Sequence, residues 1–129
     1  MVAIVLAMYA PARARTFDES NAACRYNARF WNARAMVRVT GKVTWIGKMT
    51  GPVLISVHSA KRWHYLAYMP PFSYLNDLHV MLEKGSTITL EGSLRTAGGE
   101  KIVYVSAFTW HGRRHVVRNA RGVPRWHTF

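Results

Sequence analysis

Cysteine is almost missing from this chain: Cys24 is the single one in 129 residues. A lone thiol excludes an intramolecular disulfide framework and a cysteine-based zinc cluster. No base stands near Cys24 to activate it, so it is read as structural. Acids are scarce as well. Asp18, Glu19, Asp77, Glu83, Glu91 and Glu100 are all there are. They offer no close carboxylate pair of the kind that two-metal or glycosidase chemistry needs. No glycine-rich loop ends in a phosphate-binding lysine. The apolar opening run, Met1 to Ala10, is too short to cross a bilayer. His111 and His115 stand four apart, but only His127 and Cys24 could join them, too sparse a set for zinc. These absences predict a binding protein rather than an enzyme, with no cofactor, no metal and no membrane partner.

What the chain has in excess is arginine. Thirteen Arg and five Lys against six acids give a formal net charge of +12. Residues 1–35 carry five Arg and two acids, and residues 111–129 carry five Arg and no acid. A basic balance of this size favours a polyanionic partner. Half the residues are hydrophobic and 12% aromatic, which excludes wholesale disorder. The length suits one domain with extensions.

Period-2 alternation organises the middle of the chain. Val37, Val39, Gly41, Val43 and Trp45 share one parity, with Arg38, Thr40, Lys42 and Thr44 on the other. That parity favours the core for Trp45, with a stacking platform as the alternative, and the mid-strand glycine bends the strand. Residues 47–52 turn the chain into a second strand over 53–58, and Ser59-Ala60-Lys61-Arg62 leads to a third over 63–69. Pro70-Pro71 stops the sheet. A helix is expected from Ser73 as N-cap, through Leu75, Leu78 and Leu82, to Gly85. Ile88, Leu90, Gly92 and Leu94 then alternate with Thr87, Thr89, Glu91 and Ser93 in a fourth strand. Gly92 within it marks a bulge or a close backbone approach. Gly98-Gly99 forms a hairpin turn into a fifth strand ending at Trp110. Three strands, one helix and two strands is the connectivity of an OB-fold barrel. The expected class is all-β: a five-stranded OB-fold over residues 36–110, a helix between strands three and four, and basic extensions at 1–35 and 111–129.

In the first extension, a helix is expected from Asp18-Glu19-Ser20-Asn21 onward. Arg13, Arg15, Arg25, Arg29 and Arg34, with no acid before Asp18, suit an organellar transit peptide. That would place the chain in the mitochondrial matrix; the alternative is the cytoplasm of a bacterium or a phage-infected cell. An added edge strand over residues 2–9 is the structural alternative to a targeting role.

Leu82-Glu83-Lys84-Gly85-Ser86 with Leu90-Glu91-Gly92-Ser93-Leu94-Arg95-Thr96, Trp63-His64, and the strand opening at Val37–Gly41 together resemble the bacterial and mitochondrial single-stranded DNA-binding proteins. The resemblance covers about residues 36–110. It implies binding of single-stranded DNA by stacking and backbone contacts, a role in DNA replication, and a homo-oligomer with His64 near a subunit contact. The chain departs from the pattern where loop aromatics are missing from 59–62 and 97–100, where Met69 stands in place of a late-strand Phe, and where a basic tail replaces an acidic one. Those departures put the wrapping of long strands in doubt.

Single strands are held by cationic grooves and by aromatic faces under unpaired bases. The expected contacts in the barrel are Arg38, Lys42, Lys48, Lys61, Arg62 and Arg95, with Trp63 and Tyr65 as platforms. In the tail they are Arg113, Arg114, Arg118, Arg121 and Arg125, because arginine pairs with phosphate and stacks on bases. The ligand is single-stranded DNA, or RNA if the barrel instead serves as a docking scaffold. That alternative makes the chain a structural component of an organellar ribosome or RNA-processing ribonucleoprotein.

Overall fold

A computed structural model describes residues 31–48, 52–60 and 63–126. The expected helix after Asp18, the strand over 2–9, Cys24, Lys61, Arg62 and His127 lie outside the described residues. A 3-10 turn at Ala33–Ala35, held by Asn32 Oδ1 accepting from the Arg34 amide, leads into β1 (Met36–Lys48), β2 (Pro52–Ser59) and β3 (His64–Pro71). Helix α1 (Phe72–Asp77) follows, then β4 (Thr87–Ala97), β5 (Glu100–Trp110) and a further short strand, β6 (Arg113–Val116). Among the described residues no helix is long and apolar enough to cross a membrane.

The strands pair in the order β3-β2-β1-β4-β5-β6, and a parallel β3–β5 pairing closes the first five into a barrel. Closure removes the free edges of those five strands. It places Leu66–Tyr68 beside Ile102–Tyr104. This is the OB-fold arrangement, with the helix between β3 and β4 as expected.

Inward residues of every barrel strand meet in one core that includes Val43, Ile55, Met69, Leu90, Val103 and Phe108, with Leu75 of α1 added to it. A bulge between Glu91 and Gly92 bends β4 over β5. A Cβ on Gly92 would stand 2.1 Å from the Tyr104 carbonyl oxygen, so only glycine permits that approach. Gly98 and Gly99 take φ of 58° and 82° in the two-residue turn between Ala97 and Glu100, as a tight hairpin of this hand requires.

Four local expectations are corrected. Pro70 and Pro71 lie within β3 rather than stopping it, with Pro71 opposite Pro52, and the helix is entered from Pro71 rather than capped by Ser73. Trp45 is not in the barrel interior, because a bulge between Val43 and Trp45 shifts the parity of β1. Its ring packs instead on an outer cluster of Leu54, Leu66, Tyr68, Ile102 and Tyr104. The helix ends at Asp77, well short of Gly85. His79 adopts φ of 60°, which ends regular helix, and the chain must then reach β1, where the Gly85 amide donates to Val43 O and Val43 N to Ser86 O.

The segment expected as a basic tail begins as β-sheet. His111 and Gly112, at φ of 50° and 79°, turn β5 into β6, which pairs with Ala107–Trp110. Val117 and Arg118 both donate amides to Ser106 O. Val117 joins the core, and Trp126 packs against it and tilts on Tyr74. Arg118 is only 4% exposed. Its Nε donates to Val105 O and its Nη1 to Gly122 O, and its guanidinium lies 4.9 Å from the centre of the Trp126 ring. A buried arginine that ties two carbonyls is costly to remove, since each orphaned carbonyl costs about 1–3 kcal/mol. Arg118→Ala is therefore expected to lower unfolding free energy by roughly 2–4 kcal/mol in urea titrations, while Arg121→Ala, on the exposed loop, changes it by no more than about 0.5 kcal/mol.

Candidate nucleic-acid interface

The pairing of β1 with β2 begins at Gly41, opposite Ser59, and runs to Lys48. The first half of β1 stays with β4, from Met36↔Ser93 to Lys42↔Thr87. The tip of the β2–β3 hairpin is left standing beside β1. Ser59 N donates to Trp63 O, and Trp63 N to Ser59 Oγ at 3.3 Å, which fixes that tip.

Two adjoining clefts result. One, of about 300 Å³, lies among Arg38, Val39, Thr40, Ser59, Ala60 and Tyr65. The other, of about 390 Å³, shares Thr40, Ser59 and Ala60 with it and adds Lys42, His58 and Thr87. Trp63 is 51% exposed at the tip. Lys101 of β5 holds its ammonium 4.3 Å from the centre of the Trp63 ring, a cation–π contact. His58 and His64, opposite one another on β2 and β3, stack at 4.4 Å beside it. An exposed indole with a cation over its ring, and clefts lined by Arg38 and Lys42 that share Ser59 with it, can stack a planar base and hold the attached phosphate.

Of the residues expected to bind, Arg38, Lys42, Trp63 and Tyr65 come together here, with Tyr65 half-buried against the core and the other three exposed. Lys48 closes β1, and its side chain lies outside the described residues. Arg95 is half-buried on β4 opposite Ile102 and lines neither cleft. The C-terminal arginines are dispersed. Arg113 is exposed on β6, and Arg121 and Arg125 are exposed after it. Arg118 is internal, so it is withdrawn as a contact: its guanidinium serves Val105 and Gly122.

Arg114 pairs with Glu91 through two bonds, Nε to Oε2 at 2.9 Å and Nη2 to Oε1 at 3.1 Å. That bidentate bond holds the Glu91 carboxyl below the usual carboxylate range, and the Arg38 charge adds to the effect. Lys101, His58 and Ser59 were not among the expected residues. The alternation of β5 marks Lys101 as a strand residue, but nothing local in the sequence says that it reaches Trp63. His111 stacks on Trp110 and His115 tilts on Phe108. Among the described residues no group of three or more His, Cys, Asp or Glu could hold a metal.

No family model and no curated protein matches this sequence. Solved structures of similar shape include the S. pombe Stn1–Ten1 complex, 11% identical over 57% of this chain and 55% of the other, with a TM-score of 0.48. Apo TiaS, a tRNAIle2 agmatidine synthetase, is 16% identical over 57% of this chain and 17% of its own, with a TM-score of 0.45. An OBody, AM1L10, bound to hen egg-white lysozyme is 12% identical over 69% and 90%, with a TM-score of 0.45. The chain thus spans about half of the first of these and under a fifth of the second.

Burial, and then the nearby Arg113 charge, push the His115 imidazole below its ordinary value. The unfolded chain then binds a proton at about pH 6.5 that the folded chain does not. Stability from this group is present above that pH and is lost as pH falls below it. Thermal melts between about pH 7.5 and 5 are expected to show a falling Tm that His115→Gln flattens.

Proposed function

We propose that this chain binds single-stranded nucleic acid at the clefts between β1 and the β2–β3 hairpin tip, single-stranded DNA in the first place. One observation carries the reading: a half-exposed indole, Trp63, lies under Lys101 and is hydrogen-bonded through its backbone to Ser59, which lines two clefts bordered by Arg38 and Lys42. An exposed tryptophan is expensive to keep in water, and a cation over its face orients it rather than hiding it. Unpaired bases offer the complementary flat surface, and their phosphates complement the cations. The resemblance of residues 36–110 to single-stranded DNA-binding proteins agrees with the reading and sets the preference for DNA. The net charge of +12 supplies long-range attraction for a polyanion.

Oligo-dT added to the full chain at low salt is expected to quench tryptophan fluorescence. Trp63→Ala should weaken binding by about 1–3 kcal/mol, the range for loss of one base stack, with the melting profile unchanged. Absence of binding at low salt, or a Trp63→Ala variant with native affinity, overturns the reading. The same titration with oligo-U measures the preference between the two polymers.

A further inference from the structure

The clefts beside Trp63 do not end at β1. At Thr87 the second of them meets a third concavity, of about 410 Å³, that runs past Thr89 and Thr109 to the His111–Gly112 turn. We propose, resting on the reading above, that a bound single strand leaves the Trp63 end and crosses the outer faces of β1, β4 and β5 toward β6, held there by its sugar–phosphate backbone.

The register assigns the chemistry of this track. Thr40, Thr89, Thr109 and Arg114 are consecutive partners across β1, β4, β5 and β6, and so lie in one row on the outer surface. Thr40 and Thr89 bond to each other through their hydroxyls at 2.9 Å. The next row pairs Lys42 with Thr87. Hydroxyls donate to phosphate oxygens without reading base identity. Each row also carries a cation. Glu91 is the acid on this face, and it is matched by Arg114 through two hydrogen bonds and by the nearby charge of Arg38. An approaching phosphate therefore meets no unbalanced negative charge.

The opposite face of the sheet is taken up by packing: Leu54, Leu66, Tyr68, Ile102 and Tyr104 are buried together there, with the half-buried Arg95 opposite Ile102, so that face presents no row of exposed hydroxyls to a strand. The polar track and the apolar face therefore divide the outside of the barrel, and the strand follows the polar side. Beyond the Trp63 end the contacts are to backbone, so base sequence matters little past the first nucleotides.

The test uses charge changes of opposite sign at one position. In the full chain, Thr109→Lys and Thr109→Glu are compared with Ser73→Lys and Ser73→Glu, which change charge on exposed α1. Binding is measured with fluorescein-labelled oligo-dT of about four and about sixteen nucleotides, spanning the usual range for one such barrel. Thr109→Lys should tighten binding of the long oligomer about 3- to 10-fold and steepen its salt slope by about 0.7, and Thr109→Glu should weaken it to a similar degree. The short oligomer should be indifferent to both, and the Ser73 pair should be near silent. Tightening by the lysine variant cannot come from misfolding.

If the Thr109 pair acts no more strongly than the Ser73 pair, or acts equally on both lengths, the track is rejected. If Trp63→Ala still weakens both lengths in that case, the binding site at the hairpin tip survives. If Trp63→Ala is silent too, the functional reading falls with the track.

Discussion

The close approach at Gly92 is the contact on which the barrel depends. β4 pairs with β1 on one edge and β5 on the other, and the sheet must curl by enough there to bring β5 against β3. The Glu91/Gly92 bulge makes that turn, and it works because nothing projects from Gly92 toward the Tyr104 carbonyl. Curvature of this kind is what bulges and glycines supply in small barrels. Once the curl exists, β1 before Gly41 follows β4 without β2, the hairpin tip stands apart, and the clefts open. The candidate site is thus a by-product of closure: the gap left where two strands cannot follow the same bend.

The parity of the strands was readable from residues because a half-buried strand alternates whatever its partners are. Val37/Val39/Val43 and Ile88/Leu90 announce their strands, and Gly98-Gly99 announces its turn. Position on a face is more fragile, since one inserted residue inverts it. Trp45 illustrates this, carried outward by a bulge that no local pattern marks. The helix was overextended because Leu75, Leu78 and Leu82 have helical spacing. All three do touch the core, but Leu82 reaches it from irregular backbone. Trp63 was singled out in the sequence by the basic residues before it and by a resemblance to single-stranded DNA-binding proteins. The Lys101 contact was not, because it joins two hairpins 38 positions apart in the chain.

The C-terminal arginines show why charge counted along a sequence misjudges charge available in space. Arg118 has the same side chain as its neighbours, yet its partners are carbonyls of Val105 and Gly122. Alternation ending in Val116-Val117, after the His111-Gly112 pair, was the signal for another strand, masked by the number of basic residues around it. Arg114 sits between these cases: exposed and charged, but committed to Glu91. Its charge is spent on cancelling that carboxylate.

The parallel seam that closes the barrel is short. β3 meets β5 only over Leu66–Tyr68 and Ile102–Tyr104, whereas β4 and β5 pair from Thr89 to Ala97. At Ser106 β5 receives the amides of Val117 and Arg118, and from Ala107 onward it pairs with β6. A seam of this length is where the cylinder has least to break in order to open. Amide exchange along the two flanks of that seam would therefore report opening of the barrel as a whole, ahead of any loss of the hairpins themselves.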